Sequence, residues 1–200
     1  MVRAIKRDAN GNIETDSYLS AMDKVPEVYA IIFGSGFAEK ILRGDVQNSA
    51  GLTRKFMNEL PDGAGKTLHA MVAHGMKTVP REVAVKDKDS ICRQVLWLNR
   101  AVRFITRFLE GLAEGRTSSD AASHAYATEI KMYHGWLVGK AVGSIMSIAP
   151  NKESIIRRFG FPTEEAILLE VNTLIKELRP LVDEVLKLLD DLGSNFAEKV

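Results

Sequence analysis

The chain has 200 residues, a hydrophobic fraction of 46% and a formal net charge of +1. That length fits one large domain with a sizeable core, and so small a charge gives no case for a nucleic-acid partner, which calls for a clear basic excess. The single cysteine, Cys92, excludes an internal disulfide framework and fits a reducing compartment.

Residues 1–12 are polar, contain Gly11 and read as a loose tail without the apolar run of a secretory signal. The longest mostly apolar run, Val28–Ala38, is too short to span a bilayer and is broken by Gly34-Ser35-Gly36. These features predict a cytoplasmic protein whose membrane contact is peripheral. A first helix is expected to cap around Thr15-Asp16-Ser17, with Tyr18, Leu19, Met22, Val25 and Tyr29 on its inner face. Pro26 allows a kink or restart. A second helix is predicted over Glu39–Leu60, weakened by Gly44 and Gly51. Pro61-Asp62-Gly63 forms a turn, and a third helix covers Lys66–Thr78 before Val79-Pro80. The charged segment Arg81–Asp89 reads as a linker.

The fourth helix, Arg93–Leu112, carries three surfaces. Val95, Leu98, Val102, Ile105, Leu109 and Leu112 recur at helical spacing. Trp97, Ala101, Phe104 and Phe108 form a second apolar stripe on nearly the opposite side. Two apolar faces imply packing on two sides. Between them run Arg93, Arg100, Arg103 and Arg107, and at least one of these must meet a carboxylate or an anionic ligand.

Glu114–Ser119 reads as a loop, with Ser118, Ser119 or Asp120 able to cap a long fifth helix, Ala121–Ile148, ending at Ala149-Pro150. Residues 151–162 look irregular. Thr163-Glu164-Glu165 starts a sixth helix whose period runs through Leu168, Val171, Leu174, Leu178, Leu181, Val185 and Leu189, with a kink expected at Pro180. Residues 192–200 form a tail anchored by Phe196. No stretch alternates as a strand would, so the class is all-α, with about six to eight helices in layers.

The familiar chemical motifs are absent or incomplete. Gly63-Ala64-Gly65-Lys66-Thr67 looks like the end of a phosphate-binding loop, but the required first glycine falls on Leu60. His69, His74, His124 and His134 show no metal-binding pairing, so neither a metal nor a cofactor is expected. Cys92 lacks an evident base and reads as structural. His134, in line with Ile130, Leu137, Val138 and Ala141 on the fifth helix, faces inward as a core residue or as a donor to a ligand. Asp45, with Asn48 and Ser49 one turn on, is either a solvated turn or a polar clamp for a hydroxyl- or amide-bearing head group.

Several segments together resemble the glycolipid transfer protein family. They are Trp97-Leu-Asn-Arg-Ala-Val-Arg103-Phe, Ala125-Tyr126 and Tyr133-His134-Gly-Trp136, with Ile13-Glu14-Thr15, Tyr18-Leu19-x-Ala21 and Ile-Leu-Arg-Gly-Asp45 before them. Ala149-Pro150, Thr163-Glu-Glu165 and the Lys199-Val200 end continue the likeness. It covers residues 13–200; each motif is short, but their order and spacing are specific. The resemblance implies a two-layer all-α sandwich of about eight helices. It implies a monomeric, non-enzymatic carrier that holds sphingolipid chains in an apolar pocket and the head group at a polar surface site, touching membranes transiently. Asp45 then matches the carboxylate that holds head-group hydroxyls and the ceramide amide. Trp97 matches the indole on which the first sugar stacks, and His134 the histidine at the amide carbonyl. Trp136 and Lys140 would meet the membrane. The Trp97–Phe104–Phe108 side would border the lipid pocket.

The chain also departs from both branches of the family. Glycolipid-selective members carry asparagine and lysine where this chain has Ser49 and Leu52. The ceramide-1-phosphate branch carries lysine at the position of Ser49 and arginine at that of Trp97, with a second arginine where this chain has Arg93. Trp97 therefore points to a sugar and Arg93 to a phosphate. The expectation is a glycosylceramide-type ligand, with ceramide-1-phosphate, or a sensor role through a partner, as the alternatives.

Overall fold

A computed structural model describes residues 2–34, 36–61, 63–146, 150–160 and 163–199. Its described residues hold ten α-helices: α1 (Thr15–Met22), α2 (Val25–Phe33), α3 (Phe37–Glu59), α4 (Leu68–Thr78), α5 (Arg81–Lys86), α6 (Ile91–Ala113), α7 (Ser118–Glu129), α8 (Trp136–Met146), α9 (Lys152–Phe159) and α10 (Glu164–Asp191). Extended pairing among them is limited to two isolated bridges, Arg7 with Ile13 and Glu14 with Thr67. None of these helices is long and apolar enough to cross a membrane. The chain divides into two compact units: Met1–Pro26, Arg43–Asn99 and Leu181–Phe196 in one, Glu27–Leu42, Arg100–Pro180 and Ala197–Val200 in the other.

In the first unit, Tyr18, Leu19, Met22, Leu68, Met71, Val72, Val95, Leu98, Val185 and Leu189 are fully buried. They come from the apolar periods of α1, α4, α6 and α10, as expected of amphipathic helices. Gly75 lets α4 approach the start of α6: a Cβ there would lie 2.4 Å from Ile91 Cγ2, a distance no side chain tolerates. The expected cap at residues 15–17 is absent. Glu14 occupies the cap position without a side-chain bond, while the Thr15 N–H donates to the Lys66 carbonyl at 2.9 Å. The tail is tied down as well. Asp8 accepts from the backbone N–H groups of Asn10 (2.9 Å) and Asn12 (2.8 Å), and Arg7 pairs with Glu184. The supposed linker holds α5, which Pro80 starts in the manner of an N-terminal proline.

The second unit is organised on aromatic packing. Tyr29, Phe33, Phe104 and Phe108 are all buried, with ring centroids 6.3 Å apart between Phe33 and each of the other three. The first apolar stripe of α6 is buried throughout, whereas in the second Phe104 and Phe108 are buried and Trp97 and Ala101 are only partly so. Its arginines find carboxylates: Arg103 pairs with Glu129 at 2.7 Å, and Arg107 with Glu110 at 3.1 Å. Glu110 also receives Arg179 Nε at 3.1 Å. Burial alone would raise the Glu110 carboxyl, but the hydrogen bonds from Arg179 and Arg107 hold it below its ordinary range.

Three expectations fail here. The fifth helix is not continuous: α7 ends at Glu129, a 3-10 turn covers Lys131–Tyr133, and α8 begins at Trp136. Gly135 in this connection has a low helix propensity. The cap of α7 is Thr117, whose Oγ1 accepts from the Asp120 N–H at 3.1 Å; Ser118, Ser119 and Asp120 lie inside the helix. Residues 152–159, read as irregular, form α9. Asn151 caps it at 2.9 Å, and Gly160 ends it at φ 74° after Arg157 and Arg158, a complete set of terminal signals for a short helix. The sixth predicted helix is found as α10, which contains Pro180. The predicted ends at Ile148-Ala149 and Val200 lie outside the described residues.

Candidate functional site

In the first unit, α3 carries Asp45, Asn48 and Ser49. Asp45 and Asn48 reach solvent, whereas Ser49 is buried and its carbonyl accepts from Thr53 Oγ1 at 2.7 Å. Ser49 is therefore turned away from the surface that Asp45 shares with Asn48. Although accessible, Asp45 has enough protein about it that desolvation pushes its carboxyl above the ordinary range. Among the described residues, no side chain donates to it.

Arg93 and Trp97 lie one turn apart on α6, both half-buried. The Arg93 guanidinium reaches back to the Val85 carbonyl at 3.4 Å. Burial lowers its pKa, and the nearby Asp87 works against that shift. Neither effect approaches neutrality for an arginine. This cation is partly committed to the chain that leads into α6.

In the second unit, the connection between α7 and α8 brings four side chains together. His134 follows the 3-10 turn in extended backbone. Its Nδ1 lies 3.0 Å from the Tyr126 hydroxyl, and the two rings are tilted with centroids 5.8 Å apart. Arg100 is only 3% exposed, and its guanidinium lies 3.3 Å from the centroid of Tyr133. Burial first, and the charge of Arg100 second, lower the proton affinity of His134.

His134 is thus not one position of a continuous helical face. Val138, expected beside it on the inner face, is 44% exposed, because the break at Gly135 resets the helical phase. The side chains of Leu137 and Ala141 lie outside the described residues. Trp136 is 78% exposed, which removes core packing as its role. Lys140 Nζ stands 5.4 Å from the Trp136 ring centroid, and Met132 is exposed nearby in sequence.

The family described as glycolipid transfer protein (GLTP) matches residues 13–161. The chain belongs to the glycolipid transfer protein family. The ceramide-1-phosphate transfer protein of Danio rerio is 25% identical over 196 residues, covering 88% of this chain and 90% of that protein. That of Homo sapiens is 34% identical over 109 residues, covering 51% and 50%. Among solved structures, human ceramide-1-phosphate transfer protein in complex with 12:0 ceramide-1-phosphate gives a TM-score of 0.83 at 21% identity, covering 98% of this chain and 94% of the other. The fungal glycolipid transfer protein HET-C2 gives 0.81 at 18%, covering 94% and 92%. The fold is the GLTP fold.

Two residues of this family member were not singled out as site residues by sequence reasoning. Arg100 stood in the cationic strip, but its near-complete burial against Tyr133 cannot be read from spacing. Tyr126 entered only within a motif. The signal for it was present, since a tyrosine eight residues before a histidine can meet it when the intervening helix breaks.

Proposed function

We propose that this chain is a non-enzymatic sphingolipid carrier, cytoplasmic and monomeric, that moves a glycosylceramide-type lipid between membranes. Asp45 is the observation that supports the reading best. A partly desolvated carboxylate to which no side chain among the described residues donates suits the hydroxyls of a sugar and the N–H of a ceramide amide, and it repels a phosphate. In this reading Asn48 adds a second polar contact, half-buried Trp97 offers an aromatic face to a pyranose, and His134 with Arg100 supplies donors to the lipid. Arg93 completes the proposed head-group set; buried Ser49, expected in it from the sequence, leaves it. Exposed Trp136 and Lys140 meet the membrane interface. Each buried CH₂ of the lipid chains contributes about 0.8 kcal/mol, but the donor bilayer gives much the same, so selectivity falls to the polar contacts.

The second reading is ceramide-1-phosphate transfer, favoured by the name of the Danio rerio relative that matches most of the chain. Vesicle-to-vesicle transfer of labelled galactosylceramide and ceramide-1-phosphate separates the two. The expected result is faster galactosylceramide transfer, abolished by Asp45→Val and His134→Leu and little altered by Arg93→Leu. Preferential movement of the phosphate lipid that Arg93→Leu removes reverses the ranking. Tight binding without movement makes the protein a sensor.

A further inference from the structure

We infer that Asn10 is a site of spontaneous covalent modification: its side-chain amide is lost to attack by the Gly11 backbone nitrogen, at a rate set by the turn anchored on Asp8.

The chain has eight asparagines, and Asn10 alone is followed by glycine. That neighbour matters because no Cβ shields its nitrogen from the preceding side chain. A Cβ at Gly11 would meet nothing within 4 Å, so the surroundings are open. Asn10 and Gly11 are both exposed to water. Among the described residues, no hydrogen bond holds the Asn10 side chain. The other asparagines are constrained. Asn48, Asn58, Asn99 and Asn172 stand inside helices, where the next N–H belongs to the hydrogen-bond ladder. Asn12 donates to Asp8 Oδ2 at 3.1 Å, Asn195 donates to Asp190 Oδ1 at 2.8 Å, and Asn151 Oδ1 accepts from the Ser154 N–H at 2.9 Å.

The reaction balances with water as its one co-reactant. The Gly11 nitrogen forms a bond to Asn10 Cγ, and the side-chain nitrogen leaves as ammonia, carrying the Gly11 proton. Water then opens the five-membered imide at either carbonyl. One opening gives aspartate. The other gives isoaspartate, in which the main chain runs through Cβ and Cγ.

The turn is the brake. The Gly11 N–H donates to the Asp8 carbonyl at 3.0 Å, and its φ of 84° is the left-handed conformation that closes a three-residue hairpin loop. The Asp8 carboxylate holds the N–H groups of Asn10 and Asn12. While these bonds last, the Gly11 nitrogen keeps its proton on an acceptor, and reaction waits on local opening. Isoaspartate lengthens the main chain between Asp8 and Asn12 by one atom. It therefore disturbs the bonds from the Asp8 N–H to the Asn12 carbonyl and from Arg7 to the Gly11 carbonyl, both 2.9 Å. Arg7 also grips Glu184 of α10, so the modification loosens one of the two anchors of the tail's own arginine.

The test incubates the full, ligand-free chain in mildly alkaline buffer at body temperature and maps its peptides by mass, with enzymatic detection of isoaspartate. The peptide holding Asn10 is expected to gain the mass of an amide turned to an acid before any other asparagine peptide does, and to carry isoaspartate. Asn10→Gln is expected to remove that signal. Asp8→Ala is expected to convert Asn10 about three- to tenfold faster, the scale of one hydrogen bond. The chain unfolded in guanidinium chloride supplies the unbraked rate, which is expected to exceed the folded one. An Asn10 that stays intact in the folded chain, whether or not it converts when unfolded, overturns the site, and so does earlier conversion at another asparagine. An unchanged rate in a folded Asp8→Ala overturns the role given to the turn. Equal rates in the folded and unfolded wild type do the same without relying on the variant.

Discussion

Replacing Phe104 by alanine decides whether the aromatic stripe of α6 is core or the lining of a space that can open. Phe104 is 1% exposed, and its ring lies 6.3 Å from those of Tyr29 and Phe33, nearly parallel to the second at 17°. Truncating a buried phenylalanine costs about 3–5 kcal/mol through lost transfer energy and the cavity left behind. The two ring pairs supply roughly 1–3 kcal/mol of that. For a chain this size each kcal/mol lowers Tm by roughly 2–4 °C, so a fall of about 6–20 °C is expected. Phe104→Leu keeps most of the volume and should cost roughly 1–2 kcal/mol. Thermal unfolding followed by far-UV circular dichroism reads both. If Phe104→Ala costs less than about 1 kcal/mol, the site already yields space, as a lipid-lining wall does, and the rigid-core reading of these four rings is refuted.

Arg100→Met should raise the proton affinity of His134, because the charge of Arg100 is one of the two causes that lower it; burial remains, so the ring should still titrate below the ordinary histidine range. An NMR titration that leaves His134 unmoved would show that the two do not face each other. Since the native ring resists protonation, wild-type stability should fall as pH drops below the ordinary histidine range, and level off below the native pKa. Glu110→Gln should cost about 1 kcal/mol or less at neutral pH, the scale of a partly solvated pair. Because the native carboxyl is depressed, that difference should persist down to the ordinary glutamate range and vanish as pH falls through the native value; denaturant melts of both proteins down the acid limb check it. Trp136→Ala should weaken vesicle binding without lowering Tm, as expected of a ring that is 78% exposed, and a matching loss of stability would contradict its placement.

Periodicity carried the helical reading furthest where one face was apolar over many turns. Helices α6 and α10 follow from the spacing of Val95 through Leu112 and of Leu168 through Leu189. It failed where short elements rest on their ends rather than on a face. Helix α9 has eight residues, too few for a period to show, yet Asn151 and Gly160 mark both its limits. The break before α8 was hidden because Ile130, Leu137 and Ala141 keep an apparent helical phase across Gly135. Phase read from sequence assumes the hydrogen-bond ladder continues, and a single turn of 3-10 helix is enough to reset it.

The same limit explains why the proposed head-group contacts were only half legible. Spacing says which face of a helix a residue occupies, not how far or in which direction a long side chain reaches. Ser49 and Asp45 share a face by count, yet one is buried and the other reaches solvent. The resemblance cast Arg93 as a phosphate ligand, but its guanidinium bends back to the Val85 carbonyl, with Asp87 as its opposing charge. To grip a phosphate it must leave that contact, and 3.4 Å is long enough for the bond to be weak. In the proposed reading Asp45 takes the opposite ligand chemistry, donors rather than an anion, and among the described residues no side chain donates to it. On that reading the carboxylate would bind without prior loss, so Asp45→Val should weaken binding of a sugar lipid far more than Arg93→Leu does. Equal losses from both variants would mean that the arginine turns to the lipid when it arrives.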